Sequence, residues 1–212
     1  MSGLKQKLAA VRAPKRVSAA GVVVCAALML VLGVGLGVLA KRLDTVELSG
    51  LAGRLDLGNF LSALAFWLLA ALVIAVFSRT PLQAALNVFL FLAGMCAAYH
   101  IASRIFAGID PARYMRIWYA LTLVSPVLAA LCWYAKGRGI VSIVLSALIL
   151  AVFALACFSM GFVYFSFRGA LYTACFALAA AALYASPKQL AAAVPLGLAL
   201  AFLLSPVTPF GL

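Results

Sequence analysis

The sequence predicts an all-α fold, a polytopic helical membrane protein of about seven transmembrane helices. Composition is the first observation: of 212 residues, 68% are hydrophobic and 9% are charged, with a mean hydropathy of +1.22. Soluble domains hold roughly 45–50% apolar and about 25% charged residues, and no soluble fold of this size has interior enough for so much apolar surface. The second observation is run length. The stretches 22–39 and 140–158 are apolar on every side, and each approaches the ~20 residues a spanning helix needs. Barrel strands would alternate apolar and polar instead. Helices also satisfy their own backbone groups, which lipid cannot do. Capping is the third: Thr80-Pro81, Asp110-Pro111 and Ser186-Pro187 each place a capping side chain before a proline. The cap accepts an orphan N–H, and proline at the first helical position loses no bond.

Taken in order, residues 1–16 form a basic tail holding Lys5, Lys7, Arg12, Lys15 and Arg16 and no acid. Residues 17–212 form one transmembrane domain. The first apolar run, about 17–40, exceeds the 7–15 residues typical of a signal core, so a retained span is expected, with a cleaved segment as the alternative. The polar connection 41–58 repeats Leu43, Val46, Leu51 and Leu55 at helical spacing, which suggests a short helix lying on the membrane surface. Asn59 is placed to cap the second span, about 60–77. Further spans are expected at about 81–103, 117–135, 140–165, 170–185 and 187–204. The last two are short, and a re-entrant pair is the alternative there.

The net charge of +12 comes from 16 Lys and Arg against 4 acids. In lipid surroundings this reads as loop and helix-end charge meeting headgroups, so the bilayer is the expected partner. No nucleic acid is expected, because zinc-finger spacing, RNA-binding aromatic motifs and a basic recognition helix are missing. With the tail in the cytoplasm, Arg79, Lys136, Arg138 and Lys188 fall inside. Asp44, Glu47, Asp56 and Asp110, which are all the acids, fall outside. Lys and Arg then divide nine to seven in favour of the inside, a weak bias of the expected sign. Trp118-Tyr119 and Trp133-Tyr134 at the two ends of the fourth span fit an aromatic belt.

Two segments echo each other, Thr80-Pro81-Leu82-Gln83 and Ser186-Pro187-Lys188-Gln189. Both would open a helix at the same face, as in a parallel repeat. Three other features, together with Leu57-Gly58-Asn59-Phe60, carry a resemblance. They are the run from Leu86-Asn87-Val88-Phe89 to Gly94-Met95, the run Trp133-Tyr134-Ala135-Lys136-Gly137-Arg138-Gly139, and the run Leu183-Tyr184-Ala185-Ser186-Pro187-Lys188-Gln189. The chain resembles a group of small, uncharacterised multi-pass membrane proteins common in clostridia-like bacteria. That resemblance implies a bacterial cytoplasmic-membrane protein and supplies no activity. The chain is richer in alanine and arginine than that group.

No Asp or Glu falls in an expected span, His100 is the one histidine, and H-E-x-x-H and G-x-S-x-G are absent. A non-enzyme without cofactor or metal is therefore expected. Cys25, Cys96, Cys132, Cys157 and Cys175 lie in separate spans without C-x-x-C spacing, and read as small buried hydrophobes. Proton coupling lacks intramembrane carboxylates. Sodium coupling keeps a route through carbonyls freed near Pro126 and Pro195, where a simple kink is the plainer account. Candidate ligand residues fall in two groups. Arg104, Arg113 and Arg116 crowd one external connection, with His100 one turn below Arg104. Arginine forks beside a helix N-terminus suit an anion, although Asp110 can instead cap the helix and pair with Arg113 while the others reach lipid phosphates. Gln83 and Asn87 share a face of the third span that must point inward.

Gly33 and Gly37 form a G-x-x-x-G face, for packing within the fold or against another membrane subunit. The function expected is transport-related, as a carrier or substrate-binding membrane subunit for a small solute. The alternative is a non-catalytic scaffold or accessory subunit. A carrier predicts a polar central cavity, whereas a scaffold predicts a solid bundle.

Overall fold

The computed structural model describes residues 2–46, 50–161 and 164–205. Helix α1 (Ser2–Val11) is followed by α2 (Ala19–Asp44), α3 (Gly50–Arg54), α4 (Leu57–Ser62), α5 (Leu64–Phe77), α6 (Pro81–Ala107), α7 (Ala112–Ala135) and α8 (Ile140–Cys157). A hairpin of β1 (Phe158–Met160) and β2 (Phe165–Phe167) comes next, then α9 (Ala170–Leu183) and α10 (Pro187–Leu204). Five helices, α2, α6, α7, α8 and α10, are long and apolar enough to cross a membrane. The apolar α5 and α9 have 14 residues each, about 21 Å of helix against a hydrocarbon core of about 30 Å. The chain is thus a helical membrane protein.

The bundle has two ends. One gathers the basic tail and the connections 78–80, 136–139 and 184–186. The other gathers 45–46, 50–63, 108–111 and the β-hairpin. The tail is not loose. Val11 carbonyl accepts the Arg138 N–H at 2.9 Å and Arg79 carbonyl accepts the Lys15 N–H at 3.0 Å.

Helix α2 lies at the edge of the bundle and packs mainly on α6. Its outward valines and leucines, such as Val23 and Val31, are exposed, as a lipid-facing helix requires. Its inward stripe is the expected G-x-x-x-G. A Cβ on Gly37 would stand 2.6 Å from the Met95 carbonyl oxygen, and one on Gly33 would collide with the Phe91 carbonyl. Gly94 answers from α6, where a Cβ would meet the Leu30 carbonyl at 2.7 Å. Bare backbone on both sides lets the two helices touch. The Gly33/Gly37 face is therefore packed within the fold, the first of the two readings its spacing offered.

Three further expectations change. The fifth span was expected to reach 165, but α8 stops at Cys157, and Phe158 pairs with Phe167 and Met160 with Phe165. Phe158-Ser159-Met160 and Phe165-Ser166-Phe167 alternate with period two, and Phe158 and Phe167 set their rings 5.6 Å apart, edge to face. Local alternation and cross-strand aromatic packing outweigh a merely apolar run. Asn59 caps nothing: it sits inside α4 and donates to the Asp56 carboxylate at 2.8 Å. In the connection 41–58, residues 41–44 continue α2 and the described remainder holds α3 and the start of α4 where one helix was expected; Glu47 lies outside the described residues.

Candidate functional site

The sequence echo is part of a larger correspondence. Leu64, Phe77 and Pro81, which bound α5 and open α6, stand against Ala170, Leu183 and Pro187, which bound α9 and open α10, at one constant offset. The caps match bond for bond. Thr80 hydroxyl accepts the Gln83 N–H at 3.0 Å, and Gln83 Oε1 accepts the Arg79 N–H at 3.2 Å. Ser186 hydroxyl accepts the Gln189 N–H at 3.2 Å, and Gln189 Oε1 accepts the Ala185 N–H at 3.1 Å. Each is a capping box whose glutamine reaches one residue past the cap, to the N–H of Arg79 or Ala185.

The cations also match. Arg12, directly after α1 and seven residues before α2, donates to the Val76 carbonyl at 2.9 Å. Lys136, just before α8, donates to the Ala182 carbonyl at 2.8 Å. Val76 and Ala182 occupy equivalent places, one residue before the ends of α5 and α9, where orphan carbonyls and the negative end of the helix dipole favour a cation. Arg12 donates as well to the Trp133 carbonyl at 2.6 Å and lies 4.2 Å over that ring. Lys136 lies 4.2 Å over the Phe77 ring. Burial lowers the pKa of Arg12. Burial first and then the charge of Arg12 lower that of Lys136.

Two three-helix units emerge: α2, α5 and α6, then α8, α9 and α10, with α7 between them. In each, the first helix packs on the third through glycine. In the second unit, a Cβ on Gly197 would stand 2.8 Å from the Ala147 carbonyl. The units meet where α5 faces α9, and there the Cys175 thiol donates to the Ala65 carbonyl at 3.3 Å. Beneath α7 the seam opens into a crevice of about 330 Å³ between α5, α6, α7 and α8. Trp67, Leu72, Val88 and Phe153 form its deep walls, and Leu128 and Val152 stand at its exposed mouth. Its hydroxyls are already engaged: Thr122 donates to the Trp118 carbonyl and Ser125 to the Thr122 carbonyl, each at 2.8 Å. This crevice is thus apolar, not the polar chamber expected of a carrier.

The arginine connection differs from the expected anion site. Asp110 Oδ2 accepts from Arg104 at 3.0 Å, and Asp110 Oδ1 lies 3.3 Å from His100 Nε2. Oδ1 also accepts the Ala112 N–H at 3.1 Å, but α7 opens at Ala112 with Pro111 in the cap position, so Asp110 sits one residue outside the cap expected of it. His100 Nδ1 meets the Tyr119 hydroxyl at 2.6 Å. His100 and Arg104 are therefore taken up by the protein's own carboxylate. Arg113 and Arg116 are exposed and have no acidic partner among the described residues. Asp110 pairs with Arg104, six residues back, instead of Arg113. A turn at Gly108, with φ of +64°, brings the connection around to allow it.

The Ala112 N–H, then Arg104 and His100, hold the Asp110 carboxyl below its ordinary value. A depressed folded pKa stabilises above the unfolded value of about 4 and is lost as pH falls through the folded one. Hydrogen exchange at Ala112 should therefore show protection at neutral pH that disappears on acidification below about pH 4. In Asp110→Asn the exchange should no longer change over that range; a pH step that persists in the variant would remove Asp110 as its cause.

Gln83 and Asn87 are both buried, as their shared face requires. Gln83 belongs to its cap. Asn87 Nδ2 donates to Ser78 Oγ at 3.4 Å, and its Oδ1 has no partner among the described residues. Trp133 Nε1 donates to the Ser78 carbonyl at 2.8 Å, which ties this node to Arg12. Gln189 Nε2 donates to Ser146 Oγ at 2.8 Å in a buried knot with Ser142, and both hydroxyls donate to the Ala135 carbonyl. Arg12, Lys136, Ser142 and Ser146 were not singled out from the sequence, and the Gln83/Gln189 echo was the one signal leading toward them.

No family model, curated protein or solved structure matches this chain.

Proposed function

We propose that this chain is a transport-related membrane protein, a carrier or substrate-binding membrane subunit, built from two parallel three-helix units joined by α7. The single observation that carries this is the matched pair of capping boxes and cation-capped helix ends in the two units. Parallel repeats related by an axis along the membrane normal are a transporter architecture, with substrate held near the midplane between the repeats. In this reading α5 and α9 complete seven crossings, with bilayer thinning or neighbouring polar segments making up their length. The glycine seam to α6 supports α2 as a retained span. The acid-free loops Arg79, Lys136–Arg138 and Lys188 support a cytoplasmic tail end. The sequence resemblance supports a bacterial cytoplasmic membrane. An apolar crevice between the units favours a substrate with an apolar body.

Cys175 tests the reading because it lies at the contact between the units and is 1% exposed. Two variants are needed, each keeping one cysteine, Cys175 or Cys96, with the other four changed to Ala. Cys96 lies between α6 and α7 and is equally buried. A carrier whose units part should let a water-soluble maleimide react with Cys175 at least about tenfold faster than with Cys96, since an opening free energy lower by about 1.4 kcal/mol suffices. Equal protection of both thiols would favour the scaffold reading.

A further inference from the structure

We infer that Arg12 and Lys136 form a binding site for one phosphate group at the tail end of the bundle, carried by an anionic phospholipid of the adjacent leaflet or by a soluble phosphate. The site does not depend on the transport reading, since a scaffold would carry it equally.

The two cations come from distant parts of the chain, Arg12 directly after α1 and Lys136 directly after α7. They converge on the end of α5. Arg12 reaches the Val76 carbonyl at 2.9 Å, and Lys136 lies 4.2 Å over the ring of the next residue, Phe77. Every described hydrogen-bond partner they have is neutral: the Val76 and Trp133 carbonyls for Arg12, and the Ala182 carbonyl for Lys136. Neither forms an ion pair with a described acid. Asp44, Asp56 and Asp110 stand at the opposite end of the bundle. Both cations are half-buried, where a charge without a counter-charge is costly. The ends of α5 and α9 offset about half a charge each. Of two positive charges about one is left over, and a single negative charge balances it.

The donors that would hold the anion are also present. A guanidinium and an ammonium offer several N–H groups each and accept nothing. Arg12 spends two of them and Lys136 one on described partners. A planar fork beside a compact point charge, both with N–H groups to spare, suits the several oxygens of a phosphate. The height is right as well. Helices α6, α8 and α10 begin at this end, and α5, α7 and α9 stop there. The pair therefore lies where helices leave the hydrocarbon and lipid phosphates begin.

Ligand-induced stabilisation reads the site. The full chain, in neutral detergent at about 0.15 M salt, would be titrated with phosphatidylglycerol, with phosphatidylcholine or with inorganic phosphate, following the melting temperature. Phosphatidylglycerol should stabilise at lower concentration than phosphatidylcholine, whose choline offsets its own phosphate. Stabilisation by inorganic phosphate, displaced by phosphatidylglycerol, would make the source a soluble anion; phosphatidylglycerol acting alone would make it lipid. Either result supports the site. Lys136→Gln should raise the concentration for half the effect about tenfold, equivalent to about 1.4 kcal/mol, as expected for one charge-assisted hydrogen bond. Arg16→Gln removes an exposed charge from the same end and should shift it less than about twofold, because salt screens a charge that makes no contact. Arg12→Lys keeps the charge and loses the fork, so its shift should lie between those two. Three results overturn the assignment: equal shifts in Lys136→Gln and Arg16→Gln, phosphatidylcholine as effective as phosphatidylglycerol, or no stabilisation by any of the three ligands.

Discussion

Gly33→Leu should lower the melting temperature in detergent by roughly 10 °C, while Gly35→Leu, two residues along the same helix, should leave it unchanged. The contrast follows from what a side chain would meet. At Gly33 even the Cβ collides with the Phe91 carbonyl, and at Gly35 nothing lies within 4 Å. The obstacle at Gly33 is backbone on α6, so no rotamer change relieves it, and α2 must lift off. Lifting it removes Gly37 from Met95 and Gly94 from Leu30 in the same motion. Overpacking costs typically 1–3 kcal/mol, and a rigid backbone clash belongs at the upper end. With about 2–4 °C per kcal/mol for a chain of this size, the shift follows. Both substitutions add the same apolar surface in lipid, so composition cannot explain a difference between them. Equal melting of the two variants would mean that α2 does not pack on α6 through this face.

Some of the fold was legible in the sequence, and the reason is locality. Thr80-Pro81-Leu82-Gln83 and Ser186-Pro187-Lys188-Gln189 announced helix starts that the structure places at Pro81 and Pro187, because a capping box is completed within four residues. Apolar runs located the long helices for the same reason. The G-x-x-x-G spacing showed that α2 had a contact face, yet the identity of the covering helix lies some sixty residues away in α6 and is a tertiary fact. The β-hairpin was hidden because an aromatic-rich apolar run fits helix and strand alike until its partner strand is known. The arginine connection was half legible. That Asp110 would bond the first N–H of α7 was local, although Pro111 and not Asp110 takes the cap position, and its choice of Arg104 over Arg113 depended on the turn at Gly108. The crevice was not legible at all, since it is bounded by four helices.

Arg12→Ala should destabilise the chain by about 2 kcal/mol, through the loss of two charge-assisted hydrogen bonds to carbonyls that no other described group reaches. Each such bond contributes about 1.5–3 kcal/mol when buried, and the half-exposed position of Arg12 calls for a discount. The expected melting shift is about 4–8 °C. Arg16→Ala, at an exposed position four residues on, is the control and should be silent. Arg12→Lys should recover only part of the loss. The fork of arginine holds the Val76 and Trp133 carbonyls at once, at 2.9 and 2.6 Å, whereas a single ammonium holds one well. The second unit offers an internal comparison. Lys136→Ala removes the equivalent contact to Ala182 and the contact with the Phe77 ring. Arg12 and Lys136 serve different carbonyls but repel one another, so the double variant should lose slightly more than the two single losses together, because each single variant also relieves that one repulsion. A loss in Arg12→Lys as large as in Arg12→Ala would show that the bridging of two helix ends, rather than the positive charge, is what holds the tail to the bundle. Full recovery in Arg12→Lys would reduce Arg12 to a point charge near two helix dipoles.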